Sequence, residues 1–151
     1  MTKDSSPAAH NGRVQYEIDD DPSRIQPDAV WEWLSTEAYW GRQRSREDVM
    51  TQIANAWRVV GVYRADTGAQ VGFARAVSDG VTFAYLADVF VIDGHRGDSL
   101  GKRILQLMIE DGPGRDFRWV LFTGDAHGLY EQFGFSAPDP TAMVRPARSP
   151  S

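Results

Sequence analysis

The stretch that decides the fold runs from Tyr85 to Lys102 and contains a strand, a short turn and the start of a helix. The strand pattern is Tyr85-Leu86-Ala87-Asp88-Val89-Phe90-Val91, and the turn that opens the helix is Arg96-Gly97-Asp98-Ser99-Leu100-Gly101-Lys102. A turn of this kind gathers unpaired backbone N–H groups at the positive end of a helix dipole, which is a place that binds phosphate. It has neither the GxxxxGK(S/T) motif of a nucleotide P-loop nor the GxGxxG motif of a dinucleotide site.

Composition narrows the class of protein. A chain of 151 residues with 42% hydrophobic content is expected to form one domain around one core. A net charge of −5 argues against nucleic acid as a partner, because phosphate backbones bind basic faces. The absence of cysteine excludes disulfides, thiol catalysis and Cys-ligated metal. The three histidines are scattered and do not have the spacing of metal ligands, so no metal is expected. Without a long apolar run or a signal-peptide pattern, we expect no membrane partner and a cytoplasmic protein.

The N-terminal third of the chain predicts one strand and two helices. Residues 14–18 alternate as a strand does, and residues 27–40 carry apolar side chains at helical spacing. Ser45, followed three residues later by Asp48, is an N-cap signature that opens a second helix.

The rest of the chain predicts a meander followed by two helix–strand pairs. Strands are predicted at 57–64, 69–77, 81–91 and 117–123, with a weak last strand at 142–145, and helices at 99–110 and from Asp125 to Phe133, ended by Gly134. The helix at 99–110 would be a right-handed crossover, which makes the strands on either side of it parallel. The predicted fold class is α/β, a central mixed sheet flanked by helices in the order β-α-α-β-β-β-α-β-α-β. Residues 1–12 and 146–151 are expected to be disordered, with the folded domain at 13–145.

Three segments together resemble the GNAT family of acyltransferases. The first is the turn from Arg96 to Gly101, which is similar to the family's Arg/Gln-x-x-Gly-x-Gly/Ala turn, with Ser99 standing where the family usually has glycine. The second is the run from Thr123 to Phe135, in which a helix carrying Tyr130 leads to Gly-Phe. The third is Leu34-Ser35 to Tyr39-Trp40 with Arg44, similar to a bacterial subgroup that has a Tyr-Trp pair ending its first helix.

The resemblance implies an acetyl-CoA site between the strand that ends at Val91 and the turn that follows it. The backbone of Phe90 and Val91 would bind the pantetheine arm as an added strand would. The N–H groups of Gly97, Asp98, Ser99, Leu100, Gly101 and Lys102 would face the pyrophosphate, and Arg96 or Lys102 would supply positive charge. An ordinary strand-to-helix turn is the alternative for this segment.

The resemblance also implies direct acyl transfer, in which an amine attacks the thioester and an oxyanion forms near the Val91 N–H. Tyr130 matches the family's proton donor to the departing thiolate, with a half-buried structural aromatic as the alternative. Asp88 is the first candidate for a base, because a carboxylate in an apolar strand is costly unless it has a function, a partner or access to water. An ion pair or exposure to solvent is therefore the alternative explanation for Asp88. His127 is a second candidate with a structural alternative, and deprotonation through water is a third route.

The first two helices and the strands facing them would enclose the acceptor. The candidate acceptor contacts are aromatic or basic: Trp33, Tyr39, Trp40, Arg44, Trp57 and Phe83. Plain core packing is the alternative for the aromatic residues. Arg44 could reach an acidic group of the acceptor or cofactor, whereas Arg42 and Arg46 are expected to be solvated.

The resulting hypothesis is an N-acetyltransferase that moves an acetyl group from acetyl-CoA to the primary amine of a small molecule. A non-catalytic acyl-CoA sensor and a protein or peptide N-acetyltransferase remain as alternatives, since fold alone does not settle function. A homodimer is possible because the short last strand leaves a sheet edge uncovered.

Overall fold

In a computed structural model, residues 14–37, 44–95 and 99–148 are described. The elements in chain order are β1 (Tyr16–Asp19), a short 3-10 turn (Pro22–Arg24), α1 (Pro27–Thr36), α2 (Arg46–Ala54), β2 (Arg58–Arg64), β3 (Gln70–Ser78), β4 (Phe83–Val91), α3 (Leu100–Leu105, continued by a wider π-helical turn at Gln106–Glu110), β5 (Arg118–Val120) and α4 (His127–Glu131). No helix in these ranges is both long and apolar enough to cross a membrane.

The five strands form one mixed sheet in the order β1-β2-β3-β4-β5. The first four are antiparallel neighbours. Tight turns join β2 to β3 and β3 to β4, where the Asp66-Thr67-Gly68 and Ser78-Asp79-Gly80 sequences predict them, whereas α1 and α2 lie between β1 and β2. Strands β4 and β5 are parallel, which confirms the predicted crossover through α3. The predicted mixed α/β architecture is therefore correct.

Each face of the sheet carries its own buried cluster. One cluster packs α3 and α4 against the sheet, with Ile104 and Tyr130 meeting Val60 and Leu86. The other packs α1 and α2 against the opposite face, with Leu34 and other helix residues meeting Val59, Phe73 and Phe90. Burial of these apolar faces, at roughly 25 cal/mol per Å² of apolar area, is what holds the helices on the sheet.

Side-chain hydrogen bonds satisfy the backbone at the ends of two helices. The Ser45 hydroxyl accepts a hydrogen bond from the Asp48 N–H at 3.0 Å, which is the predicted N-cap of α2. The C-terminal carbonyls that follow α3 are satisfied by Arg58, which donates to the carbonyl oxygens of Leu107 and Met108 at 2.8 and 3.3 Å. A cation at this end of a helix also complements the helix dipole.

Two sequence predictions were wrong at the C-terminal end. No strand forms at 142–145, where Met143 and Val144 are 94% and 67% exposed and have no buried face to order them. Asp125 does not cap α4: the N-cap is Ala126, and the Thr123 hydroxyl accepts weakly from the Ala126 N–H at 3.3 Å. Helix α4 is consequently shorter than predicted.

Candidate functional site

Strand β4 is paired on its β5 side along only a third of its length. Strand β5 pairs with Phe83, Ala84 and Tyr85, and β4 then continues six residues further to Val91. The last six residues of β4, up to Val91, therefore have no strand paired on the β5 side within the described ranges. A strand whose edge is not covered by its neighbour can pair with an extended ligand through its backbone.

A β-bulge interrupts β4 just before this open end. Phe73 of β3 pairs with Phe90, but Arg75, two residues later, pairs with Ala87, so β4 contains one extra residue. The extra residue changes which side chains face each side of the sheet. Leu86 packs on the α3 face, whereas Phe90 packs on the α1/α2 face. Asp88, inside the bulge, has the left-handed φ of 56°.

Asp88 is held by two arginines from different elements. Arg44, just before α2, donates from both terminal nitrogens to the two carboxylate oxygens at 2.9 Å. The Nε of Arg75 donates to Oδ2 at 2.7 Å, and the Arg44 guanidinium also donates to Gln52 at 2.6 Å. The side chain of Asp88 is only 5% exposed. These contacts fix a backbone conformation that is otherwise unfavourable for a residue with a side chain.

The ion pairs bear on the candidate role of Asp88 as a base. Burial acts to raise the pKa of Asp88, but the hydrogen bond from Arg44 and the positive charge of Arg75 outweigh it, and the pKa lies below its ordinary value. A carboxylate stabilised in its ionised form has little tendency to accept a proton at neutral pH. Of the alternatives, the geometry favours the ion pair.

The turn before α3 has an unusual backbone conformation. Ser99 has a φ of 57°, in the left-handed region that favours glycine, the residue expected here from the resemblance noted above. Leu100 is buried, Lys102 is exposed, and a Cβ built on Gly101 would lie 3.3 Å from the Leu129 side chain. Gly101 therefore allows α3 and α4 to approach closely. Arg96, Gly97 and Asp98 lie outside the described residues.

Tyr130 is positioned by the way α4 ends. Gly134 has a φ of 90°, and the N–H groups of Gly134 and Phe135 donate to the carbonyl oxygens of Glu131 and Tyr130 at 3.1 and 3.2 Å. This pair of bonds is a Schellman motif, and the contact of the Tyr130 and Phe135 rings, with centroids 5.9 Å apart, is its usual hydrophobic companion. Gly-Phe after Tyr130 thus has a structural reason: it fixes the orientation of the tyrosine.

The electrostatic setting of Tyr130 keeps its phenol protonated. Burial raises the pKa of Tyr130, and the negative charge of Asp125 adds to the effect. The ring belongs to the same buried cluster as Leu100 and Ile104, so the tyrosine lies beside the first turns of α3. A protonated phenol in this position is chemically suited to donate a proton.

The candidate acceptor aromatics do not all come together. Trp33 is buried and stacks on Phe90, with ring centroids 4.2 Å apart and planes 9° from parallel. Phe83 begins β4, about 25 Å from Val91 at the usual strand rise. Trp57 lies near the Phe83 end of β4 and contacts Phe117, with ring centroids 5.5 Å apart. Tyr39 and Trp40 lie outside the described residues.

The placement of these aromatic residues reduces the number that could contact an acceptor at the Val91 end of β4. The structure leaves Trp33 and Phe90 near the open end of β4 and separates Trp57 and Phe83 from it, because strand register, and not residue type, decides which aromatics meet.

The remaining basic candidates have structural partners or fall outside the described ranges. Arg46 forms an exposed ion pair with Asp28, in agreement with a solvated position. The His127 ring nitrogen Nε2 lies 3.1 Å from the Thr123 carbonyl oxygen, within its own turn. Arg42 lies outside the described residues. Within the described ranges, no group of three or more His, Cys, Asp or Glu side chains could hold a metal ion.

Arg75 is the site residue that sequence reasoning missed. Like Asp88, it is a charged residue within an otherwise apolar strand, and it is 8% exposed. That anomaly was the available signal, since two opposite charges in adjacent predicted strands are the simplest way to bury either of them.

A comparison of the sequence with family models gives one family. The model described as the acetyltransferase (GNAT) family matches residues 28–135, which include all but the first residue of α1, the bulged strand β4, the turn before α3 and Tyr130. A Gibberella zeae protein whose name marks it as an inferred acetyltransferase is 35% identical over 108 residues. That alignment covers 70% of this chain but only 59% of the relative.

Solved structures agree with this assignment. A structure from Xanthomonas campestris assigned to the GNAT family has a TM-score of 0.81 and 32% identity, covering 88% of this chain and 94% of that one. A predicted acetyltransferase from Clostridium acetobutylicum, determined with acetyl-CoA, shares the fold with a TM-score of 0.60 at 12% identity, covering 87% and 96% of the two chains. The last residues of β4 are unpaired on the β5 side, and Tyr130 is held by the motif that ends α4. Together with these features, the matches show that the chain belongs to the GNAT family of acetyltransferases.

Proposed function

We propose that the protein transfers the acetyl group of acetyl-CoA to the primary amine of a small molecule, by direct attack of the amine on the thioester. The observation that carries the proposal is that β4 beyond Tyr85 has no strand paired on its β5 side, with Tyr130 in the buried cluster that Val89 and Val91 pack against. An uncovered strand edge, a helix-opening turn and a protonated phenol then lie in one region of the molecule.

Binding of acetyl-CoA would use the backbone more than side chains. The Phe90 side chain is committed to the α1/α2 core, so Phe90 and Val91 would contact the pantetheine arm through main-chain groups. The N–H groups of Ser99, Leu100, Gly101 and Lys102 are the natural contacts for the pyrophosphate, together with Arg96, Gly97 and Asp98. Lys102 is exposed and would contribute positive charge.

The chemical step divides between two parts of the chain. A backbone N–H of the open part of β4, with Val91 as the first candidate, would stabilise the oxyanion of the tetrahedral intermediate. Collapse of that intermediate breaks the carbon–sulfur bond, and the Tyr130 hydroxyl would give its proton to the departing thiolate. Because the arginines stabilise Asp88 in its ionised form, we assign Asp88 to organising the site and the deprotonation of the amine to solvent water.

Thiol release from acetyl-CoA across a panel of amines, amino acids, polyamines and peptides tests this proposal. The chain has no cysteine, so a thiol-reactive dye reads only the released coenzyme. Tyr130→Phe should lower kcat by about 100-fold or more while acetyl-CoA still binds, as expected for loss of a general acid. Tyr85→Phe is the matched control, because Tyr85 lies at the far end of β4 against Phe122.

The outcomes separate the alternatives. Amine-dependent release that falls in Tyr130→Phe and persists in Tyr85→Phe would support the enzyme. Clear binding of acetyl-CoA with no release from any acceptor would favour an acyl-CoA sensor. Turnover of peptides but not of free amines would favour a peptide N-acetyltransferase.

A further inference from the structure

The guanidinium of Arg75 is buried but only partly used. Its Nε donates to Asp88, and its two terminal nitrogens have no hydrogen-bond partner within residues 14–37, 44–95 and 99–148. Among buried side-chain atoms of those ranges, only the Tyr63 hydroxyl both lacks a partner and is closed to solvent. The terminal nitrogens of Arg75 therefore reach solvent from a side chain that is only 9% exposed.

The cluster around Arg75 carries an excess of positive charge. Two guanidiniums, from Arg44 and Arg75, face one carboxylate, from Asp88, and the other described partner, Gln52, is neutral. Burying a charge without a counter-charge is unfavourable, so an anion that joined the cluster would be strongly attracted.

The cluster lies where an acceptor would be bound. Asp88 is two residues before Phe90, roughly 7 Å along the strand. Arg75 lies on the α1/α2 face, paired across the sheet with Val59, and this is the face on which Trp33 stacks against Phe90. A small molecule with its amine near Val91 is therefore within reach of the free nitrogens of Arg75.

We propose that the acceptor is an amine that also bears a carboxylate, and that the terminal nitrogens of Arg75, supported by Arg44, bind this carboxylate. The proposal rests on the proposed function. Asp88 then has a second task, because its ion pair to Nε fixes the plane of the guanidinium and leaves the terminal nitrogens directed at the ligand. Planar, paired donors are what arginine offers a carboxylate and lysine does not.

Matched acceptors test the proposal in the wild-type protein. Each common amino acid is compared with its carboxamide, which keeps the side chain and removes the negative charge. Because the carboxamide also has a less basic amine, the values of kcat/KM are expressed per concentration of neutral amine. We expect kcat/KM to be about 10- to 100-fold higher for the best amino acid than for its carboxamide, as for a charge-assisted hydrogen bond. Equal values of kcat/KM for the acid and its amide would overturn the proposal.

Three variants show which side chains distinguish the acid from the amide. Arg75→Gln should bring the ratio of acid to amide close to one while the KM for acetyl-CoA stays unchanged, and Arg75→Lys should restore part of the ratio. Because Arg75 also pairs with Asp88, Arg44→Lys serves as a milder second variant, and it should reduce the ratio without abolishing it. A ratio unchanged in all three variants would contradict the assignment to these arginines.

Calorimetric titration of the CoA-saturated protein separates failure of this inference from failure of the proposed function. N-acetyl amino acids and their amides are the probes, and no turnover is needed. If no acceptor is acetylated but the N-acetyl acids bind and the amides do not, the carboxylate site stands while the catalytic proposal fails. If neither kind of probe binds and no amino acid is turned over, the carboxylate site is refuted.

Discussion

Replacing Asp88 with asparagine removes one negative charge from the middle of the sheet and changes little else. Asparagine has nearly the same shape and, like aspartate, tolerates the left-handed φ of 56° found in the bulge. The substitution leaves Arg44 and Arg75 facing a neutral amide that can satisfy part of their hydrogen bonding but none of their charge. The variant therefore isolates the electrostatic contribution of the carboxylate.

The expected loss of stability is large for a single substitution. Breaking a buried ion pair by removing one partner costs about 3–5 kcal/mol. We expect about 3 kcal/mol, the lower end, because the Arg44 side chain keeps 18% of its exposure and remains partly hydrated. For a domain of this size, that corresponds to a fall in Tm of roughly 6–12 °C.

Urea unfolding measures this directly, through a fall in the midpoint with an unchanged slope. Asp28→Asn is the matched control, since Asp28 pairs with Arg46 at a site where the two side chains are 84% and 54% exposed. An exposed pair of this kind contributes less than about 1 kcal/mol. If Asp88→Asn cost no more than Asp28→Asn, the buried cluster would not be the electrostatic centre described above.

Acid unfolding gives an independent check on the same residue. The fold lowers the pKa of Asp88 below its ordinary value of 3.8, so the ionised carboxylate stabilises the protein at neutral pH. This contribution is complete above the unfolded pKa and is lost as pH falls through the lower folded pKa. The difference in unfolding free energy between wild type and Asp88→Asn should therefore be constant at neutral pH and narrow below about pH 4. A difference that widened in acid would contradict the reasoning.

Three further substitutions test separate features of the structure. Ser99→Gly should raise the free energy of unfolding by up to about 1 kcal/mol, seen as a higher urea midpoint, because it relieves the left-handed φ of 57°. An unchanged or lower midpoint would argue against that conformation. Tyr16→Phe removes the 2.7 Å hydrogen bond between the Tyr16 hydroxyl and Nδ1 of His95, which lies just before the turn that opens α3. The KM for acetyl-CoA should therefore rise a few-fold with kcat retained, and a fall in kcat alone would contradict this positioning role. Arg58→Met keeps the aliphatic stem but removes the donors to the carbonyl oxygens of Leu107 and Met108. The free energy of unfolding should fall by about 1–3 kcal/mol. A loss within measurement error would show that water satisfies those carbonyls.

Sequence reasoning identified the features that depend on local chemistry. Ser45 followed by Asp48 predicted a cap, and the structure has the corresponding hydrogen bond. The Asp-Thr-Gly and Ser-Asp-Gly turns predicted the meander, and Gly134 predicted the left-handed end of the helix that carries Tyr130. Each of these signals operates within a few residues of its own position.

Features that depend on register could not be predicted in the same way. The bulge at Asp88 shows only when β3 and β4 are aligned, and it reverses the alternation that a period of two residues implies for Phe90. The separation of Phe83 from the open end of β4 is likewise a property of the paired sheet. Residues 142–145 have the composition of a strand, but the folded chain offers them no buried surface, and they remain exposed.

Calorimetric titration of acetyl-CoA into the wild-type protein tests whether the open edge of β4 and the turn before α3 form an acyl-CoA site. We expect saturable binding at one site per chain, with a dissociation constant between about 1 μM and 1 mM, the range usual for enzyme substrates. Acetyl-CoA should bind Tyr130→Phe with similar affinity, since the phenol is assigned to proton transfer and not to binding. Absence of any binding heat up to about 1 mM acetyl-CoA would contradict the assignment of the open β4 edge and the turn before α3 as the acyl-CoA site.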